Sequence, residues 1–375
     1  MNRSGIREFF DLANRIPDAI HLEMGEPDFA TPEHIRDAAA RAANDGYTRY
    51  TPNAGIPQLR EAIARKLEAR NGIDASPDQV VVTPGAIAAL YGTVMALCDP
   101  GDEILISDPA WPNYAMLAGL QGVGVVRYPM LPEHRMQPKA EQIEPLITDR
   151  TKILLINSPC NPTGTVIDQR HLEDLLDLAD THNLWVLSDE VYDEIVFDSD
   201  TVKSPAAQDK AGRVVSVFSF SKTYAMTGWR VGYAVAPPEL APYLVKIQEP
   251  VTACVNAPAQ MAAVAALEGP QDCVTEMRDA YEKRRDGVVE ILGQAGVPFI
   301  RPAGAFYLWI NIAGSDMGSN DFARVLLEGH HVAVTPGRAF GPAGEDFVRV
   351  SLASKTEELN EGTTRLVHLL HARSG

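Results

Sequence analysis

The sequence predicts an α/β fold: a large domain with a mainly parallel central sheet sandwiched by helices, plus a smaller α+β domain. Three observations carry this reading. From about residue 45, short β-prone runs alternate with helical patterns, and the central runs "KILLIN", "LWVLS" and "VVSVF" are continuously apolar, as strands covered on both faces are. Near residue 275 the pattern changes to one long charged helical stretch followed by short strands. A chain of 375 residues is also too long for one small core and calls for two domains or more.

Taken in order, "QVVVTPG" (79–85) is a strand and turn leading into the helical "AIAALYGTVMALC", and "DEILISDPAW" is the next strand with its exit loop. "GLQGVGVV" (119–126) is glycine-rich but lacks the following helix of a dinucleotide site, so it reads as a turn into a strand. Then come "KILLINSPCNPTG", a helical "DQRHLEDLLDLADTHN", "LWVLSDEVYDEIVF", "VVSVFSFSK" and "WRVGYAVAP". The second domain opens with "CVTEMRDAYEKRRDGVVEILGQAG", a helix, and continues with strands at "AFYLWINI" and "FVRVSLA". The expected division is 45–275 for the large domain, with 1–44 and 276–375 forming the small one.

Composition excludes several classes. Apolar content of 45% and charged content of 22% are ordinary for a globular protein. No apolar run approaches the roughly 20 residues that span a bilayer, and the first residues lack an apolar secretory core, so no signal peptide or membrane partner is expected. A net charge of −17, from 33 basic and 50 acidic residues, repels nucleic acid. Cys98, Cys160, Cys254 and Cys273 form no C-x-x-C pair, which points to a reduced, cytoplasmic protein. Neither an H-E-x-x-H, a histidine cluster nor an EF-hand loop is present, so no metal is expected, and the adjacent His330 and His331 read as a turn.

Open α/β sheets bind ligands beyond the carboxyl ends of their strands. Those ends carry Gly85, Trp111, Asn161, Asp189 with Tyr192, and Lys222. Asp189, at the end of "LWVLSDEVY", taken alone reads as a structural ion pair or a metal site, because a buried carboxylate needs a cation. Lys222, taken alone, reads as a lysine reaching the surface. Its company is unusual, however. Ser219 and Ser221 supply hydroxyls, Arg230 supplies a guanidinium suited to phosphate, and Gly85 opens a helix whose backbone N–H groups bind anions. A phosphate cradle beside an amine that forms Schiff bases, with an acid able to face a pyridinium, describes a site for pyridoxal 5'-phosphate.

Eight motifs in order over most of the chain carry a resemblance. They are "GEPDF", "YTPNAGIPQLREAIA", "TPGAIAAL", "NSPCNPTG", "SDEVY", "SFSKTYAMTGWRVGY", "GAFY" and "FVRVSLA". The chain resembles the class I/II aminotransferases, pyridoxal-phosphate enzymes of fold type I. The resemblance implies that Lys222 forms the Schiff base with the cofactor and shuttles the proton, and that Asp189 pairs with the pyridine nitrogen. Asn161 and Tyr192 would hydrogen-bond the ring's phenolic oxygen, and Trp111 would stack on the ring. The phosphate would meet Ser219, Ser221, Arg230 and the backbone at Gly85 and Ala86. Tyr50 would reach the phosphate of a neighbouring subunit, implying a homodimer with shared active sites. Arg349 would grip the substrate α-carboxylate, assisted by Asn161 and the backbone at Gly25. Each has a plainer alternative: Trp111 and Tyr192 as core, Tyr50 as a surface aromatic, and Arg349 facing solvent on a half-buried strand.

The implied reaction moves an amino group between an L-amino acid and a 2-oxo acid in two half-reactions. Ile87 stands where some dicarboxylate-specific members carry lysine, and Val251 lies near a place where others carry arginine, so a neutral or apolar donor is expected. Arg338 in "PGRAFG" pulls the other way if it reaches the pocket, towards the alternative of an aspartate-type dicarboxylate aminotransferase. The same scaffold also runs C–S β-elimination and other chemistry, and a cofactor-sensing regulator is a remote alternative that the acidic charge disfavours.

Overall fold

The computed structural model describes residues 5–198 and 203–373, so the outermost ends of the expected small domain, 1–4 and 374–375, lie outside the described residues. Thirteen strands run in chain order: β1 (Ile20–His21), β2 (Val80–Thr83), β3 (Glu103–Asp108), β4 (Gly124–Pro129), β5 (Thr151–Asn157), β6 (Trp185–Asp189), β7 (Val214–Ser219), β8 (Gly232–Val235), β9 (Phe299–Ile300), β10 (Tyr307–Asn311), β11 (Val332–Ala333), β12 (Thr335–Pro336) and β13 (Phe347–Ser351). Seven of them form the large sheet in the order β2-β8-β7-β6-β5-β3-β4. Its pairings are parallel except at β8, which runs antiparallel to both β2 and β7. The carboxyl ends of the other six strands therefore share one edge, as ligand sites of this architecture require.

The continuous apolar runs are explained by cover on both faces. Alternate residues go to opposite sides, as the two-residue period of a strand dictates. Ile104 and Ile106 join Leu90 and Leu117 of the helices Ala86–Leu97 and Asn113–Leu120, while Leu105 joins Leu172 and Leu175 of the helix Gln169–Thr181. All six residues of β7 are buried. Each such leucine, valine or isoleucine contributes roughly 1.5–3 kcal/mol of burial free energy, which only a sheet enclosed on both sides collects twice per strand. The glycine-rich 119–126 stretch is a helix end and turn into β4, as expected.

The small domain has a four-stranded antiparallel sheet, β12-β13-β10-β9, and the parallel pair β1-β11. Helices Asp272–Gln294, Ser319–His330 and Thr356–Arg373 cover it. His331 ends the middle helix in a left-handed conformation, the turn expected at His330–His331. The helix Glu33–Asn44, grouped from sequence with the small domain, buries Ile35 and Ala39 in the cluster of Val80, Val82 and Phe218 under the large sheet.

The two faces of the small sheet are both covered, and this decides where Arg349 goes. Leu308, Ile310, Val348 and Val350 point into the small domain's core. Trp309 and Phe347 point the other way, where they stack at 5.3 Å and join Leu154 and Ile156 of the large domain. Arg349 pairs in register with Trp309 and shares that second face. The strand alternates as a half-buried strand does, but its second face meets the large domain instead of water. No helix among the described residues is long and apolar enough to cross a membrane.

Candidate active site

The carboxyl edge of the large sheet and the second face of the small one enclose a cleft of about 280 Å³. At one end, β2 gives way to Gly85, at φ 76°, which caps the helix Ala86–Leu97. A Cβ there would stand 2.4 Å from Nη2 of Arg230, so glycine is what lets the guanidinium reach the helix N-terminus. Arg230 is itself left-handed, at φ 55°, and its Nη1 donates to the Thr227 carbonyl at 2.9 Å.

Lys222 does not end the strand as the sequence suggests. β7 stops at Ser219, whose Oγ accepts from the Ser221 backbone N–H at 3.1 Å and caps a single helical turn, Phe220–Thr223. Lys222 rides on that turn and aims Nζ at the Gly25 carbonyl, 2.6 Å away. Burial pushes its ammonium down to about 8, with Arg349 and Arg230 acting in the same sense and Glu26 and Asp189 against. The cap uses an oxygen lone pair of Ser219 and leaves its O–H as a donor.

Asp189 is 2% exposed at the end of β6. Its Oδ2 accepts from the Tyr114 hydroxyl at 2.6 Å and its Oδ1 from the Val191 N–H at 3.3 Å. Burial raises it to about 6 against the pull of these two hydrogen bonds and of Lys222. The neighbouring Glu190 turns to the opposite side of the sheet, where Ser204 donates to it at 3.0 Å, so the two acids of "SDEVY" have separate surroundings. Tyr192 shares a hydrogen bond with the Tyr307 hydroxyl at 2.9 Å and packs edge-on to Phe306. Trp111 is half-buried and meets Tyr114 edge-on at 5.4 Å.

Arg349 is 1% exposed. Its Nη1 donates to Asn161 Oδ1 at 2.9 Å, and its Nη2 to the Glu23 carbonyl at 2.7 Å and to Thr335 Oγ1 at 3.3 Å. The guanidinium lies over the Tyr307 ring, 4.2 Å from its centroid, and Nε meets no acceptor among the described residues. Burial lowers its affinity for the proton, though a guanidinium stays charged. A buried cation bonded to neutral acceptors is a ready site for a carboxylate.

The cleft is lined by Gly25, Ala86, Trp111, Asn161, Asp189, Tyr192, Ser219, Ser221, Lys222, Arg230 and Arg349, with Gly85 against Arg230. Tyr50 is not in it, being 90% exposed. Arg338 is also outside, half-exposed, with Nε 3.8 Å from Glu345, whereas Ile87 is part of the wall. Tyr114, Tyr307, Asn157, Leu90, Val191 and Thr227 line the cleft without having been singled out from sequence. The i, i+3 spacing of Trp111 and Tyr114 was the signal for the first, since it puts both on one side of a helix start. Tyr307 is the tyrosine of "GAFY".

This donor set fits a phosphorylated pyridine aldehyde. Arg230, the serine hydroxyls and a helix N-terminus converge where Gly85 has no Cβ to block them. A lysine with a depressed pKa and a buried carboxylate complete the set.

Comparison with known proteins agrees. The family described as "Aminotransferase class I and II" matches residues 17–366. The chain is 40% identical to the aspartate aminotransferase of Pyrococcus abyssi, over 100% of this chain and 97% of that one. It is 39% identical to aromatic-amino-acid aminotransferase 2 of Thermococcus litoralis, over 99% and 96%. The solved structure of the Thermus thermophilus aspartate aminotransferase with maleate superposes with a TM-score of 0.94 at 36% identity, covering 98% of this chain and 97% of that one. The chain therefore belongs to the class I and II aminotransferases and is a pyridoxal-phosphate-dependent enzyme of fold type I that moves an amino group between an amino acid and a 2-oxo acid.

Proposed function

We propose that the amino donor carries an uncharged side chain, and that the residues of the cleft divide the work as follows. Pyridoxal phosphate, when bound, supplies an aldehyde that condenses with amines and a ring that accepts electrons from the α-carbon. Arg230, Ser219, Ser221 and the N–H groups at Gly85 and Ala86 hold its phosphate. Asp189 keeps the ring nitrogen protonated, Tyr114 fixes that carboxylate in place, and Trp111 covers a face of the ring. Asn161 uses Oδ1 on Arg349, which leaves its Nδ2 to donate with Tyr192 to the ring's phenolic oxygen. Arg349 binds the substrate α-carboxylate. Lys222, whose lowered pKa leaves much of it neutral near pH 8, takes and returns the α-proton.

The observation that carries the substrate reading is the wall at Ile87 and Leu90, with Arg338 turned out to Glu345. A distal carboxylate buried against those aliphatic side chains would go unpaired. With 2-oxobutanoate, a monocarboxylate acceptor, kcat/KM for the best of Met, Phe, Tyr and Ala should exceed that for Asp by about tenfold or more. Asp far ahead of all four would overturn the reading and favour the aspartate-type alternative, which the names of several relatives support. Cystathionine supplied without acceptor separates transfer from elimination, because a C–S β-lyase breaks its Cβ–S bond and releases thiol, ammonia and 2-oxo acid unaided.

Tyr50, an aromatic 90% exposed and outside the cleft, supports a homodimer in which it completes the partner's phosphate site. Full activity in a species sedimenting as one 40.8 kDa chain would remove that role.

A further inference from the structure

Glu23 lies just before Gly25, in the extended segment that follows β1, and is 1% exposed. Its side chain does not line the cleft. Its backbone carbonyl accepts from Arg349 Nη2 at 2.7 Å, and its Oε1 lies 2.8 Å from Nδ1 of His21. Its Oε2 meets no hydrogen-bond donor among the described residues, and neither does Arg349 Nε find an acceptor. A buried carboxylate with one oxygen outside any hydrogen bond to the described residues is costly, and a neighbouring guanidinium offsets part of that cost.

We infer that Glu23 is a positioning residue for Arg349: its carboxylate, steadied by His21 outside the cleft, partly neutralises the guanidinium and so sets how strongly the site grips the substrate's α-carboxylate as pH changes. The inference rests on the reading that Arg349 binds that carboxylate.

The charges around the pair are few. Glu23 faces His21 from its own segment and Arg349 from β13, and each of Glu23 and Arg349 shifts the other's proton affinity. Arg349 faces the Tyr192 and Tyr307 hydroxyls as well, and Lys222 feels its charge. Burial raises the Glu23 carboxyl, against the opposing pull of His21 and Arg349. The sign follows. Below its folded pKa Glu23 is neutral and Arg349 is left to the ligand. Above it the carboxylate competes, so affinity for a carboxylate ligand falls as pH rises. By linkage, a carboxylate bound near Glu23 raises the Glu23 pKa further, so binding takes up protons over that window. Lys222 carries the cofactor in the holoenzymes compared, so whatever it contributes to anion binding is common to the wild type and to variants at Glu23.

The test compares wild type, Glu23→Gln and Arg349→Lys as holoenzymes. The KM and kcat of the best amino donor are measured between about pH 5 and 8.5, which brackets a raised carboxyl. Titration calorimetry with succinate and 3-phenylpropanoate in buffers of different ionisation enthalpy gives the proton uptake. Glu23→Gln keeps the shape and the backbone contact but removes the charge. It should lower KM at the upper end of the range by on the order of tenfold, flatten the KM profile and reduce proton uptake, with kcat little changed. A Glu23→Gln profile parallel to wild type, or a KM raised equally at every pH, would mean a structural role and overturn the inference. Arg349→Lys separates the two claims. If it leaves KM unchanged, the reading of Arg349 fails. If it raises KM while Glu23→Gln keeps the wild-type pH profile, Glu23 alone is misassigned.

Discussion

Replacing Lys222 by alanine is expected to abolish turnover, lowering kcat by at least about 10⁴-fold, the upper end of what a positioned acid–base group contributes. The substitution is sterically mild, because Lys222 sits half-buried on one short turn held by the Ser219 cap. Loss of activity with an unchanged circular dichroism spectrum would therefore report chemistry and not unfolding. A second readout is covalent. Borohydride treatment of the wild-type holoenzyme should leave the cofactor's mass on the peptide containing Lys222, and the variant should carry no label. Substantial transamination by a clean Lys222→Ala preparation would sink the assignment, as would a label found on another lysine.

Asp189→Ala is expected to cost several orders of magnitude in kcat. The carboxylate is buried, and burial raises it to about 6 even against the hydrogen bonds from Tyr114 and Val191, so it is a charge the fold tolerates at some expense. A protonated ring nitrogen against it gives each group a counter-charge in a medium where such a pair is strong, and the same charge draws electrons from the α-carbon. Asp189→Asn isolates the electrostatic part, since its amide oxygen still accepts from Tyr114. Loss of about 10²-fold or more in both variants is expected if charge is what matters. Activity retained in Asn but lost in Ala would assign Asp189 to positioning, and a wild-type rate in Ala would refute any role.

Much of this was legible in the sequence, and for identifiable reasons. Strands buried on both faces have no polar alternation to disguise them, so β5, β6 and β7 announce themselves, and their polar ends mark the edge where a ligand sits. Asp189 stands out because a carboxylate at the end of a buried strand is costly without a purpose, and Gly85 and Arg230 because a glycine at a helix start and a guanidinium suit an anion. Lys222 was recognisable, but its place one turn beyond the strand was not, because the Ser219 cap that stops β7 looks in sequence like any serine in an apolar run. Tyr114 was missed for a related reason. Its bond to Asp189 spans 75 residues, and locally only the i, i+3 spacing from Trp111 sets it apart from a core tyrosine.

What the sequence by itself determined is the order of strands and helices, and it offered residue types suited to a phosphate, an amine and a carboxylate at one edge of the sheet. Only the tertiary structure decided what those residues face. Arg349 alternates with valines in "FVRVSLA", a pattern equally suited to solvent, until the large domain closes over the second face of the small sheet. Glu23 and Arg338 show the same dependence in opposite directions. One carboxylate is drawn inside against His21, on a residue whose backbone carbonyl bonds Arg349, and one arginine is drawn outside to Glu345. Local pattern records which faces are apolar; which partner covers a face, and hence the electrostatics of every group on it, is settled by contacts hundreds of residues apart.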